Sequence, residues 1–357
     1  MRRSDSLLLL CCRNTGNGVI MNLQQYDRKL RKRKKAMETK TYKIWEENEY
    51  HYGHACGFVP NIVSYLHGDG EKRPCVLVVP GGGYRFVSPS EGEIVALKFY
   101  EMGYQAFVLT YTINMLQLLP LKKQPLMDIS RAVRYIRKNA ESFGVEPHSL
   151  AVCGFSAGGH LCGSLCVHCE DIQDNETYKG ISNRPDAAVL CYPVITSGEK
   201  AHRGSFDALL GEGASAEELE YMSLEIQVTK NTPPCFVWAT VSDQAVPVEN
   251  TLMFLQACRE KGAPVACHIF SDGEHGLSLA DEDWANWRKQ SGYTLEQQVR
   301  IVEKIKSGEL IIPKEVRKAL EEEEKAQAEL PPRSVHPEVE AWPEMADNFL
   351  KKYFRGN

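Results

Sequence analysis

The sequence predicts an α/β protein whose central sheet is mostly parallel, with helices on both faces. The 357 residues are enough for one large domain or two smaller ones. Hydrophobic residues make up 43% of the chain and charged residues 25%, which is ordinary for a globular protein. From residue 60 onward, short apolar runs alternate with segments of helical periodicity. This alternation is typical of parallel strands joined by helices. Catalytic groups of such folds lie at the carboxyl ends of the strands.

The predicted elements follow in a regular order. Strands are expected at 62–66, 75–79, 105–111, 150–153, 187–191, 235–239 and 265–270. Helices are expected at 93–102, 125–143, 157–169, 248–261 and 339–353. The glycine-rich stretch 196–232 is expected to be loop. A helical insertion at about 282–336, with helices at 295–305 and 314–330, precedes the last helix and is too short to favour an independent domain.

The amino-terminal residues 1–41 are expected to form a basic, disordered extension of a domain that spans 42–357. Residues 1–43 carry twelve Lys and Arg against three Asp and Glu, so the remainder sums to −14. Seven of the eight residues 28–35 are basic, but no aromatic residue is interleaved to stack a base. A solvated tail is therefore favoured over a nucleic-acid partner.

The sequence predicts neither a membrane-spanning helix nor a secretory signal. No apolar run approaches the roughly 18 residues that a spanning helix needs. The apolar run at 7–12 is shorter than a secretory signal requires and lacks a small-residue cleavage site. The twelve cysteines do not resemble a disulfide framework, and reduced thiols in a cytoplasmic protein are the simpler interpretation.

Three of these cysteines leave an alternative open. Cys162, Cys166 and Cys169 have a spacing that can ligate an iron–sulfur cluster. The same spacing places them on one stripe of a predicted helix, where they would pack against the sheet. Packing is favoured, and neither a cofactor nor a metal is predicted. His51 and His54 have no partner at zinc spacing.

The segment Gly154-Phe155-Ser156-Ala157-Gly158 lies between a predicted strand and a predicted helix. A sharp turn there exposes a serine hydroxyl beside a base, and its glycines avoid collisions with neighbouring backbone. Ser156 is therefore the predicted nucleophile. His160, in the helix that follows, is expected to pack locally.

A second glycine-rich turn, Pro80-Gly81-Gly82-Gly83-Tyr84, follows another predicted strand. Acyl transfer needs N–H donors that stabilise the oxyanion of the tetrahedral intermediate. The N–H groups of Gly82, Gly83 and Ala157 are the predicted donors. A phosphate loop is disfavoured because no Lys-Ser/Thr pair follows.

Asp243 and His275 each follow a predicted strand. The chain order serine, aspartate, histidine is that of the α/β-hydrolase triad, in which histidine takes the serine proton and the carboxylate orients the ring. Asp272 and Glu274 are rival carboxylates. They rank below Asp243 because they lie too close in sequence to His275 to come from a separate strand end.

At these residues the sequence resembles the α/β-hydrolase superfamily, and more narrowly bacterial acetyl esterases and acetylxylan-esterase-like proteins. The resemblance covers about residues 42–281 and the final helix. It is carried by PGGGYRFVSPSEGE (80–93), CGFSAGGHL (153–161), CYPVITSGEKAHRGSFDALLGE (191–212), DQAVPVENTLMF (243–254) and HIFSDGEHGLSLA (268–280). The 191–212 segment is the narrowest of these motifs and selects the branch.

The resemblance implies a cofactor-free serine esterase that removes short acyl groups, chiefly acetyl, from small molecules or oligosaccharides such as acetylated xylan fragments. It implies Ser156 as nucleophile, Asp243 as acid, His275 as base and Gly82–Gly83 as oxyanion loop. A peptidase or amidase with the same triad and a catalytically silent binding protein are the alternatives. The insertion predicts either a cover over the pocket or a contact between copies of the chain in a homo-oligomer.

Overall fold

The central sheet occupies the middle of the structure, a computed structural model that describes residues 37–46, 48–328 and 331–354. Within these residues its nine strands run in the order β1-β3-β5-β4-β6-β7-β8-β9, with β2 paired to β3. Strand β3 pairs antiparallel with β1, β2 and β5. Every other neighbouring pair in this order, from β5–β4 to β8–β9, is parallel. The strands are β1 (Met37–Glu38), β2 (Thr41–Lys43), β3 (Asn61–His67), β4 (Arg73–Val79), β5 (Gln105–Thr110), β6 (Val145–Phe155), β7 (Ala187–Cys191), β8 (Cys235–Thr240) and β9 (Val265–Phe270).

Helices cover both faces of the sheet, so the predicted fold class is confirmed. The described helices are α1 (Glu93–Glu101), α2 (Gln124–Lys138), α3 (Ala140–Phe143), α4 (Ala157–His168), α5 (Arg203–Leu210), α6 (Ala216–Tyr221), α7 (Leu224–Gln227), α8 (Glu249–Lys261), α9 (Glu282–Ala285), α10 (Glu296–Ser307), α11 (Lys314–Ala328) and α12 (Trp342–Phe354). None of the helices in the described ranges is long and apolar enough to cross a membrane.

Two buried clusters, one on each face, hold the layers together. On one face, α2, α4 and α8 contribute Ile129, Leu165 and Phe254. On the other, α1 and α12 contribute Phe99 and Trp342. The strands of the middle of the sheet are buried on both faces, which is why they read as continuous apolar runs rather than as alternating patterns.

The stretch 196–232 differs from the expected loop, because it contains the short helices α5, α6 and α7. Helix α6 begins at a capping box in which Ser215 Oγ accepts from the Glu218 N–H and the Glu218 carboxylate accepts from the Ser215 N–H. This pairing satisfies two backbone donors at the helix start. A local polar motif of this kind offsets the weak apolar periodicity of the segment.

Ordered structure also begins before the predicted domain start at residue 42. Strand β1 pairs Met37 with His67, and β2 pairs Thr41 with Val63. Strands of two and three residues are too short to show any periodicity in the sequence. The remainder of the predicted extension, residues 1–36, lies outside the described residues.

Candidate active site

Ser156 lies at the turn between β6 and α4, with φ 51° and ψ −118°. This strained conformation is held by the backbone: the Ser156 N–H donates to the Cys191 carbonyl (3.0 Å), and the Ser156 carbonyl accepts from the Val194 N–H (3.1 Å). A Cβ on Gly154 would overlap the Gly158 carbonyl, and one on Gly158 would overlap the backbone after β4. The turn therefore requires both glycines that flank the serine.

A continuous chain of hydrogen bonds joins three of the residues predicted from the sequence. His275 Nε2 lies 2.7 Å from Ser156 Oγ, and His275 Nδ1 lies 2.6 Å from Asp243 Oδ2. The second oxygen, Asp243 Oδ1, accepts from the N–H groups of Ala245 and Val246 at 2.9 Å each. The Asp243 side chain is wholly buried, whereas the His275 side chain is 23% exposed. This arrangement fixes the carboxylate and leaves one edge of the imidazole open to a substrate.

The rival carboxylates have other partners. Asp272 Oδ1 accepts from Ser242 Oγ at 2.6 Å, and this bond holds the pKa of Asp272 below its usual range. Glu274 pairs with His336 at 3.3 Å and is more than half exposed. Since both ring nitrogens of His275 are already used by Ser156 and Asp243, neither rival orients the imidazole.

The glycine loop after β4 packs against the serine. A Cβ on Gly81 would lie 2.9 Å from Ser156 Cβ and 2.6 Å from the Phe155 carbonyl. Gly82 and Gly83 have φ values of 120° and 61°, which side chains rarely adopt. Within the described residues, no hydrogen bond uses the N–H groups of Gly82, Gly83 or Ala157. All three predicted oxyanion donors are therefore without a hydrogen-bond partner in the part of the chain that the structure describes.

Glu91, a buried carboxylate that the sequence analysis missed, supports two loops of the site. They are the glycine loop and the loop 271–281 after β9 that carries His275, here called the histidine loop. Glu91 Oε2 accepts from the Gly81 N–H at 2.7 Å, and Oε1 accepts from the Tyr192 hydroxyl at 2.8 Å. The Tyr192 oxygen accepts in turn from the Ser278 N–H at 2.9 Å. The Tyr192 ring packs edge-on to the His275 ring, with centroids 5.0 Å apart. Burial raises the pKa of Glu91, so these donors stabilise a charge that desolvation disfavours.

His160 is buried under the glycine loop, and its ring has partners on both sides. Its Nε2 donates to the Met222 carbonyl at 2.9 Å, so Nδ1 accepts from the Tyr84 hydroxyl at 2.7 Å. Burial lowers the pKa of His160 to about 4. The ring is neutral and anchors Tyr84, the last residue of the glycine loop, to α4. The local packing expected for this histidine agrees with these contacts.

The insertion at 282–336 reaches the rim of the site from two directions. Glu323 on α11 forms an ion pair with Arg85, which directly follows the glycine loop; Arg85 Nη2 lies 2.8 Å from Glu323 Oε2. At the other end, His336 pairs with Glu274 next to His275. Between these ends, Gln297 on α10 exchanges two hydrogen bonds of 2.9 Å with the backbone of Ile113. The insertion therefore packs on its own chain, from the histidine loop round to the glycine loop.

Of the three cysteines singled out by their spacing, Cys162 and Cys166 lie on α4 and Cys169 directly follows its end. Cys162 and Cys166 are buried in the hydrophobic cluster between α4 and the sheet, and Cys169 packs against its edge. Burial raises the pKa of the Cys162 thiol well above its ordinary value. These are the contacts that the packing interpretation predicts for a stripe of small side chains.

The parallel sheet, the strained serine turn and the serine–histidine–aspartate hydrogen bonds define an α/β-hydrolase. The sequence matches the family described as BD-FAE over residues 64–257, more than half of its length. The chain therefore belongs to the BD-FAE family. The resemblance stated from the motifs is confirmed.

Named relatives agree with this assignment. Endo-1,4-beta-xylanase B of Butyrivibrio fibrisolvens is 50% identical over 258 residues, which are 72% of this chain and 41% of the relative. An acetylxylan esterase of Xylanibacter ruminicola is 28% identical over 243 residues, which cover 63% of this chain and 47% of the relative. The chain thus spans less than half the length of these curated relatives.

A solved structure is similar over nearly its whole length. The acetyl ester-xyloside bifunctional hydrolase of Caldicellulosiruptor lactoaceticus is 36% identical, with a TM-score of 0.64. The alignment covers 75% of this chain and 96% of that chain.

Proposed function

We propose that this chain is a serine carboxylesterase that removes short acyl groups, chiefly acetyl, from small or oligosaccharide esters such as acetylated xylan fragments. The observation that carries the proposal is the chain of hydrogen bonds from Ser156 through His275 to Asp243. A serine hydroxyl is a weak nucleophile until a neighbouring base takes its proton. The buried carboxylate stabilises the charge that then develops on the imidazole.

In the first half of the reaction, His275 Nε2 takes the proton of Ser156 as Oγ forms a bond to the ester carbonyl carbon. The oxyanion of the tetrahedral intermediate accepts from the N–H groups of Gly82, Gly83 and Ala157. The bond from this carbon to the alcohol oxygen breaks, and the alcohol leaves with the proton held by His275. An acyl-enzyme on Ser156 remains.

In the second half, a water molecule takes the place of the alcohol. His275 removes a water proton as the oxygen attacks the acyl carbon, and the same three N–H groups hold the second oxyanion. Collapse breaks the bond to Ser156 Oγ, which recovers its proton from His275. Acetate is released, and neither a metal nor a cofactor enters any step.

The choice of substrate is supported by the relatives. One relative is named an acetylxylan esterase, another a xylanase, and the similar solved structure an acetyl ester-xyloside hydrolase. All three names refer to xylan or a xyloside, and two of them refer to an acetyl ester. Since fold alone does not determine substrate, the preference for an acetyl sugar needs its own test.

The test is the hydrolysis of p-nitrophenyl esters from acetate to octanoate by wild type and by Ser156→Ala. Ser164→Ala is the matched control, because Ser164 lies buried in α4, the helix that follows Ser156, and its hydroxyl has no partner among the described residues. We expect activity that peaks at acetate, is lost in Ser156→Ala and is kept in Ser164→Ala. Equal turnover by wild type and Ser156→Ala would refute the proposal, and inactivity on every ester would favour an amidase or a silent binding protein.

We also propose that the protein is cytoplasmic, as the cysteine pattern predicts. The support is that the ten cysteines in the described part of the chain are free thiols. Cell fractionation with an antibody to the chain tests the location. Detection in the medium rather than in the soluble extract would contradict it. The predicted homo-oligomer stays a prediction that light scattering measures.

A further inference from the structure

His202, just before α5, lies beside the glycine loop. Its Cε1 is 3.9 Å from the position that a Cβ on Gly83 would occupy. The ring is only partly buried, and the mechanism described above does not use it. His202 therefore forms part of the wall next to the oxyanion donors.

The tautomer of His202 follows from its neighbour Ser205. His202 Nδ1 lies 2.8 Å from Ser205 Oγ, and Ser205 is 1% exposed. Within the described residues this nitrogen is the sole partner of the buried hydroxyl, and a buried hydroxyl that donates to nothing is costly. The Ser205 hydroxyl therefore donates to Nδ1, and the ring proton resides on Nε2.

The second nitrogen is thus an N–H donor that needs an acceptor. Burial lowers the pKa of His202, so the ring is neutral and carries a single N–H. No group in the described residues accepts from Nε2. A few polar groups in a ligand pocket orient the bound molecule, and a donor left unused beside the glycine loop fits that role.

We propose that His202 Nε2 donates a hydrogen bond to an oxygen of the sugar in the bound ester, and so selects acetylated carbohydrates over simple acetates. The inference rests on the proposed function. An acetyl group has a methyl and one carbonyl oxygen, and that oxygen is the one the backbone donors of Gly82, Gly83 and Ala157 hold. The acceptors that remain in an acetyl sugar are the oxygens of the sugar itself. Ser205 acts as a positioning residue, because it fixes the tautomer that makes this donor available.

The test compares kcat/KM for acetylated xylo-oligosaccharides with kcat/KM for p-nitrophenyl acetate, whose alcohol half offers no hydroxyl. We expect His202→Phe to lower the ratio of the two about tenfold, the effect of one lost hydrogen bond to the sugar. His202→Gln restores a donor and is expected to recover part of the ratio. Ser205→Ala is expected to lower the ratio by a smaller amount through a higher KM for the sugar ester. Thermal unfolding of each variant checks that the fold is kept.

The remaining outcomes separate this inference from the proposed function. Equal losses on both substrates would place His202 in the oxyanion site or in the fold, and an unchanged ratio would leave it no part in recognition; either result overturns the inference alone. Wild-type activity on p-nitrophenyl acetate without activity on the sugar esters would also overturn it and leave the esterase intact. Inactivity of wild type on both substrates would overturn the proposed function together with this inference.

Discussion

Replacing Asp243 by asparagine is expected to disable His275 by reversing its tautomer. Asp243 Oδ1 accepts from two backbone N–H groups at 2.9 Å, so only an oxygen fits in that place. The amide nitrogen of Asp243→Asn must then occupy the place of Oδ2, 2.6 Å from His275 Nδ1. There it donates to Nδ1, which forces the ring proton onto Nε2. The nitrogen 2.7 Å from Ser156 Oγ can no longer accept the serine proton.

The size of this effect follows from the role of the tautomer. Loss of the correct tautomer in a serine–histidine–aspartate site lowers kcat on the order of 10⁴-fold. This corresponds to about 5 kcal/mol of lost transition-state stabilisation, since each factor of ten equals ~1.36 kcal/mol. The fold is expected to persist, because asparagine is isosteric with aspartate and keeps the two backbone hydrogen bonds.

The assay is steady-state hydrolysis of p-nitrophenyl acetate by wild type and three variants. Asp243→Asn is compared with Asp272→Asn and Glu274→Gln, which remove the charge of the rival carboxylates on the loop that carries His275. Both rivals are exposed, so their activities are expected within about twofold of wild type. If Asp243→Asn keeps more than about a tenth of wild-type kcat, or if either control is the more damaged, the tautomer argument is refuted.

Three further changes probe the support of the site. The pKa of His160 is about 4 in the fold and 6.5 ordinarily, so between these pH values the unfolded chain binds a proton that the folded chain does not. The free energy of unfolding therefore decreases as the pH is lowered through this range. Urea unfolding at pH 7 and pH 5 is expected to show wild type losing about 2 kcal/mol more than His160→Gln. Tyr192→Phe leaves the Glu91 carboxylate and one backbone N–H without their hydroxyl partner, and is expected to cost about 1–3 kcal/mol of unfolding free energy, measured in urea. Gly158→Ala forces a Cβ into the backbone after β4 and is expected to cost about 3 kcal/mol or more by the same measurement.

Each of these changes has a defined contrary result. Parallel stability curves for wild type and His160→Gln would mean that the ring titrates normally in the fold. Wild-type stability of Tyr192→Phe would mean that water replaces the hydroxyl. Gly213→Ala is the control for Gly158→Ala, since a Cβ at Gly213 meets nothing within 4 Å. Equal stability of these two alanine variants would show that the serine turn tolerates a side chain.

The strands and the serine turn were predictable because local sequence encodes them. The middle strands are buried on both faces and read as apolar runs, and their ends bring Ser156, Asp243 and His275 to one edge of the sheet. The two glycines that flank Ser156 mark the turn in the sequence, and in the fold a Cβ on either would overlap backbone. The catalytic roles of these residues stay predictions until they are measured.

The supporting residues were not predictable, because they act through contacts between distant segments. Glu91 looks like an ordinary acidic residue at a helix start, and only the fold brings it to Gly81 and Tyr192. His202 lies in a stretch whose helices carry weak periodicity, and its place beside Gly83 depends on how that stretch folds back. No spacing rule in the sequence joins these positions.

The central claim is that Ser156 is an activated nucleophile, and covalent labelling tests it most directly. Wild type and Ser156→Ala are treated with a fluorophosphonate probe, digested, and the labelled peptide is sequenced by mass spectrometry. We expect one modified residue, Ser156, with no labelling of Ser156→Ala and slow labelling of Asp243→Asn. Modification of another serine, or equal labelling of wild type and Ser156→Ala, would contradict it.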